Sequence, residues 1–94
     1  MKELNRILHQ PIRTRIMAYL IARGHALYTE IKQEFGLSDG HMTTHMRELL
    51  EHEYVGMEKA FVNNKPCTTY YVTEKGRQAF AEYVQQLKRI IEIE

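Results

Sequence analysis

The chain has a single cysteine, Cys67, which excludes an intrachain disulfide and any multi-cysteine zinc site. It also lacks a long hydrophobic run. The longest unbroken apolar stretch, Ile16 to Ala22, is far short of the ~20 residues that span a bilayer. The opening MKELNRILHQP has no apolar signal core and carries Glu3 and Arg6 inside it. Neither sign of charge dominates: 13 Lys and Arg against 12 Asp and Glu leave a formal net charge of +1. These shortages point to a soluble cytoplasmic protein with no membrane partner.

What is present suits one small globular domain over residues 1–94, since 44% of the residues are hydrophobic and 27% charged. That length leaves no room for a separate sensory domain, so any pocket for a small-molecule effector must lie between helices, and the sequence identifies no such effector. Charge is uneven along the chain. From Lys59 to Arg77 there are four bases (Lys59, Lys65, Lys75, Arg77) against the single acid Glu74, whereas the chain ends in the acidic IEIE. A weakly charged protein can still bind a phosphate backbone if its bases gather on one face.

Leu4, Ile7 and Leu8 make a short helical stripe that Pro11 interrupts. Proline suits a first helical turn, so a new helix is expected from Pro11 to about Ala22, with Ile12, Ile16, Tyr19 and Leu20 on one side and Gly24 closing it. Ala26-Leu27-Tyr28 reads as a brief extended piece. Thr29 can cap a third helix that buries Ile31 and Phe35 and stops at Gly36. Ser38 can cap a fourth, running to about His52. Two helices joined through Gly36-Leu37 form a helix-turn-helix pattern over 29–52. After Tyr54 the apolar period becomes two. Val55, Met57, Lys59 and Phe61 form one strand face, Tyr70 and Val72 belong to a second strand, and Asn63-Asn64-Lys65-Pro66 turns between them. The expectation is a hairpin over 55–72 with a basic tip. Thr73 caps a last helix over 74–92, in which Phe80, Val84, Leu87 and Ile91 recur at helical spacing.

The segments HQPIRTRIMAYL, TEIKQEFGLSDGHMTTHMREL, YV at Tyr54, FVNNKPCTTYYVT and EKGR together cover nearly the whole chain. In that order they resemble the small winged-helix regulators related to the MarR and ArsR families of prokaryotic transcription factors. The resemblance implies an α+β, mostly α, winged helix-turn-helix with a two-stranded wing and a C-terminal dimerisation helix. It further implies that the helix after LSDG enters a major groove of double-stranded DNA, that the wing touches the backbone, and that terminal helices build a homodimer. Two features depart from the family pattern. The cysteine pair of ArsR metal sensors is missing from Thr29 to Phe35, and the wing offers only Lys59 and Lys65 where arginine is common.

Around the fourth helix at 100° per residue, Met42, Met46 and Leu49 form the core stripe. Gly40, Thr43, Thr44 and Arg47 lie opposite. Threonine hydroxyls can serve phosphates or base edges, and Arg47 could fork onto a guanine or a phosphate. Ser38, Gly40, His41, Thr43, Thr44 and Arg47 are therefore the candidate groove residues, with Lys59, Asn63, Asn64 and Lys65 as candidate wing contacts. His41 and His45 share one helix side, as two metal ligands would. Yet HMTTH has Met42 where a zinc protease needs glutamate, and no third ligand is visible. No metal or other cofactor is expected. Arg13 and Arg15 read equally well as solvated face or as phosphate contacts, and Lys75 with Arg77 could hold a phosphate at the start of the last helix. Cys67 reads as a small packing residue in a strand. Paired carboxylates, a glycine-rich phosphate loop and a nucleophile with a base are all missing, so an enzyme is not expected. The competing reading is a winged helix that contacts protein and not DNA, which near-neutral charge would suit.

Phe80, Tyr83, Val84, Leu87, Ile90 and Ile91 exceed what a helix needs to cover a small core, and such a seam usually finds a partner. The expected partner is a second copy, joined through this helix and through Leu4, Ile7 and Leu8. Replacing Leu87 and Ile91 together with Glu should give monomers in sedimentation analysis. A native protein already monomeric at micromolar concentration would refute the seam.

Overall fold

The computed structural model describes residues 3–92. Four helices and three strands follow in the order α1 (Pro11–Arg23), β1 (His25–Leu27), α2 (Tyr28–Phe35), α3 (Asp39–Glu51), β2 (Val55–Val62), β3 (Lys65–Val72) and α4 (Glu74–Glu92). The sheet is antiparallel with strand order β1-β3-β2, so the extended piece before α2 pairs with the hairpin and makes it three-stranded at its base. No described helix is long and apolar enough to cross a membrane.

Each element begins where its sequence provides the missing hydrogen-bond partners. Gln10 caps α1 by accepting the Arg13 N–H, and Pro11 takes the first helical position. α2 starts one residue before Thr29, so Thr29 is not its cap. Leu27 holds that position, and the Glu30 side chain reaches back 3.3 Å to the Leu27 N–H. Gly36 ends α2 in the left-handed conformation (φ 60°), which tightens the connection to α3. Ser38 caps α3 and Thr73 caps α4, each hydroxyl accepting an N–H three residues on.

Two further expectations need correction. The stripe at Leu4, Ile7 and Leu8 is a turn and not a helix. The Asn5 carboxamide oxygen accepts the N–H groups of Ile7 and Leu8, and this local bonding displaces the helical pattern. The wing loop is also shorter than expected. Asn63 and Asn64 alone form it, both at positive φ (54° and 62°), while Lys65 and Pro66 belong to β3. In a two-residue hairpin the pair beyond the closing one turns its amide positions outward. Pro66, opposite Phe61, therefore loses no ladder bond, because β1 pairs only with Thr69 to Tyr71.

The core lies where α1, α2, α3 and the sheet base meet. Ile16, Met17 and Leu20 from α1, Ile31 from α2 and Met42, Met46 and Leu49 from α3 are buried there with Val55, Tyr70 and Val72. On the rim, Tyr19 donates to Glu30 at 2.5 Å, packs edge-on to Phe35, and lies under the Arg23 guanidinium at 3.8 Å. These contacts tie α1 to α2. The wing and α4 both project from the core, giving extents of 56 × 25 × 21 Å.

The α3–β2 corner is clasped to the start of α4. The Thr73 N–H donates to the Tyr54 carbonyl, the Thr73 hydroxyl to the Glu53 carbonyl, and Lys75 pairs with Glu53 at 3.3 Å. Gly76 packs directly on this corner, where an added Cβ would fall 2.1 Å from the Tyr54 carbonyl oxygen. Gly76→Ala should consequently lower stability by about 1–3 kcal/mol as an overpacking change, read by urea denaturation. A melt indistinguishable from wild type would show that the corner gives way freely.

Candidate nucleic-acid interface

Burial of Met42, Met46 and Leu49 fixes how α3 is rotated, and the residues opposite follow from it. Gly40, His41, Thr43, Thr44 and Arg47 are exposed, as is Ser38, whose hydroxyl oxygen is used as the cap. Thr43 and Thr44 donate their hydroxyls to the carbonyls of Asp39 and Gly40, at 2.9 and 3.1 Å. Each therefore presents a methyl group and oxygen lone pairs outward.

Strand alternation sorts the wing into two faces. Val55, Met57, Lys59 and Phe61 share one face with their register partners Val72, Tyr70, Thr68 and Pro66. That face turns toward α3. Met57, Lys59, Thr68 and Tyr70 line a cleft of about 330 Å³ with Thr43, Arg47 and Leu50 of α3 and with Tyr28. Lys65 falls on the opposite face with Val62, Cys67 and Tyr71, and the Tyr71 ring covers Gly56. Thus the structure brings Thr43, Arg47 and Lys59 to one cleft and leaves Asn63, Asn64 and Lys65 at the distal tip.

Two of the cations considered from the sequence are already engaged. Arg13 donates from Nε to the Ile7 carbonyl at 2.7 Å and points Nη1 at the His45 Nδ1, 3.4 Å away. It holds the N-terminal segment to α3 and is only partly exposed. Lys75 is paired with Glu53. Arg15 and Arg77 stay exposed.

One constellation was not found from the sequence. Asp39, in the first turn of α3, accepts the Tyr28 hydroxyl at 2.6 Å and pairs with Lys32 at 2.9 Å. The Tyr28 hydrogen bond and then Lys32 hold the Asp39 carboxyl below its usual range, and the same bond pushes the Tyr28 phenol up to about 12. The latch pins α2 to α3 and occupies the one acid that would otherwise face a polyanion from the first turn. Spacing offers a faint hint, since Asp39 is seven residues after Lys32, but the turn geometry that unites them is set by Gly36.

Among the described residues no three His, Cys, Asp or Glu side chains come together as metal ligands would. Arginine has no acceptor, so the contact with Nδ1 requires an unprotonated nitrogen on His45. Burial, and then the charges of Arg13 and His41, hold the His45 pKa below its ordinary value.

The surface expected to form a dimer seam is only partly exposed. Ile90 and Ile91 are 46% and 77% exposed, Leu4, Ile7, Phe80 and Leu87 are half-buried against the core, and Val84 is half-buried. Leu8 and Tyr83 do not fit the expected seam. At 0% and 3% exposure they are buried within the protomer and have no surface to share.

A family model described as a winged helix DNA-binding domain matches residues 12–91. An uncharacterized protein of Methanocaldococcus jannaschii is 26% identical over 85 residues, covering 90% of this chain and 92% of that one. The transcriptional regulator homologue protein from Pyrococcus horikoshii OT3 is 27% identical, with TM-score 0.86 over 94% of this chain and 87% of that one. A mutant MarR from E. coli, solved in complex with operator DNA, shares the fold with TM-score 0.63 at 15% identity, over 78% of this chain and 51% of that one.

A pH dependence follows from His45. Its pKa lies below 6.5 in the folded protein, so near that pH the folded chain binds fewer protons than the unfolded chain. The stability it contributes is full above about pH 6.5 and declines as pH falls below it. Urea unfolding at pH 7.5 and 5.5 should show a smaller loss of stability in His45→Gln than in wild type. Equal losses would rule out the role given to His45.

Proposed function

We propose, from the premise that this chain belongs to the winged helix DNA-binding domain family, that it is a homodimeric transcriptional regulator reading double-stranded DNA by sequence. A family of DNA-binding domains is not one of enzymes, and the chain's chemistry is recognition. The observation that carries the reading is the cleft in which Thr43 and Arg47 of a core-locked α3 stand beside Lys59 of the wing. With α3 in a major groove, Thr43, Thr44 and Arg47 reach base edges, with Gly40 allowing close approach and Ser38 and His41 at the backbone. Lys59 meets the phosphates bordering that groove, and Asn63, Asn64 and Lys65 meet the next stretch of backbone.

The exposed end of α4 supports the homodimer, with Leu4, Ile7, Phe80, Val84, Leu87, Ile90 and Ile91 as the paired surface. Two-fold symmetry then selects a pseudo-palindromic site with half-sites ~34 Å apart or a multiple of that. Repression is the favoured outcome, because a dimer seated on DNA excludes other proteins from the same duplex without any further surface. The MarR fold relative solved in complex with operator DNA supports the DNA-binding reading.

Fluorescence anisotropy of a labelled duplex from the gene's own upstream region, titrated at several salt concentrations beside a random duplex, tests this reading. Binding should favour the upstream duplex and fall steeply with salt. Arg47→Ala should cost about 1–3 kcal/mol and relax one position of the site. Absence of binding to either duplex at low salt would sink the proposal and favour a protein-contact role.

A further inference from the structure

Phe61 is 79% exposed, more than any other large hydrophobic side chain among the described residues. Its position is nonetheless well defined. It lies in β2 one pair inside the Asn63-Asn64 turn, directly across from Pro66. The ring therefore sits on a two-stranded ribbon whose turn residues and proline restrict the backbone.

The face it occupies matters more than its exposure. Phe61 and Pro66 continue the face formed by Met57 with Tyr70 and Lys59 with Thr68, and those four residues line the cleft beside Arg47. Moving outward from Met57, Lys59 comes first at ~7 Å and Phe61 second at ~13 Å. A major groove is ~12 Å wide, so with Arg47 inside it and Lys59 at its border, Phe61 lies beyond the phosphate ridge. The next surface there is the neighbouring minor groove.

Charge selects the occupant of this apolar tip. From Lys59 to Thr73 the wing contains Lys59 and Lys65 and no acidic residue, with Glu58 and Glu74 just outside. An apolar side chain between cations on a narrow hairpin suits a polyanion that has an apolar interior, which describes stacked bases behind phosphates. The end of α4 already supplies a surface for a second copy.

We propose that Phe61 is an apolar wedge that enters the minor groove beside the major groove read by α3, partly unstacking one base step and bending the duplex. The inference rests on the DNA-binding reading above and adds a determinant to it. Wedge insertion is least costly at flexible pyrimidine–purine steps, so Phe61 gives preference at a position that α3 never touches.

The test uses the upstream duplex with 2-aminopurine placed at successive positions along it. Wild-type protein should raise the fluorescence at one step flanking each α3 half-site, reporting local unstacking. Phe61→Ala should abolish that rise and weaken binding by about tenfold, within the range of a lost stacking contact. Its salt dependence and thermal melt should stay as in wild type, since no phosphate contact and no buried group is removed. Phe61→Leu should keep part of the signal. A wild type that binds the duplex tightly without any fluorescence rise, or a Phe61→Ala variant with unchanged affinity and signal, overturns the wedge and leaves the DNA-binding reading intact. A wild type that binds no duplex overturns both.

Discussion

The burial of Met42, Met46 and Leu49 is the constraint from which the rest of the interface follows. An α-helix advances 100° per residue, so three buried side chains at helical spacing leave no freedom of rotation. Slipping α3 by one residue would swing Arg47 toward the protein and expose a methionine. The Ser38 cap and the Asp39 latch to Tyr28 and Lys32 fix where the helix starts, so rotation and start are both set from inside the fold. The outward residues then have no need of contacts with one another. Their arrangement is imposed by the core beneath them.

The Tyr54 corner joins the two projecting parts of the molecule. β2 leaves it toward the wing, and α4 is clasped to it through Thr73, Lys75 and Gly76. The surface proposed to meet DNA and the surface proposed to meet a second copy thus share one rigid root, with backbone hydrogen bonds on both sides. Pairing through α4 would set the angle between two α3 helices without a flexible hinge in between.

Much of this could be read along the chain, and the boundary of legibility has a physical cause. The caps at Ser38 and Thr73, the proline start of α1, the Gly36 stop and the buried stripe of α3 are all local features, decided within a turn or two of chain. The errors arose where a local pattern was overruled. Asn5 bonded the backbone of Ile7 and Leu8 and so replaced a helix that their spacing suggested. Pro66 was tolerated in a strand because the hairpin register faced its missing N–H outward. Leu8 and Tyr83 had the right period for a seam, but periodicity does not tell which apolar residues the protomer's own core will claim. The Tyr28–Asp39 latch and the Arg13–His45 contact join separate helices, and only the folded chain displays them.

The end of α4 has one more implication. Beyond Tyr83 the helix runs more than two turns, with Ile91 largely in water and Ile90 about half exposed. Past Leu87, the last residue of α4 packed against the core, the terminus is held mainly by its own backbone bonds, and fraying there is inexpensive. Under the pairing proposed above, order at the helix end would be a question of abundance: the last turns would loosen where copies are scarce and association would complete them where copies are plentiful, which would make expression level itself a variable of the fold.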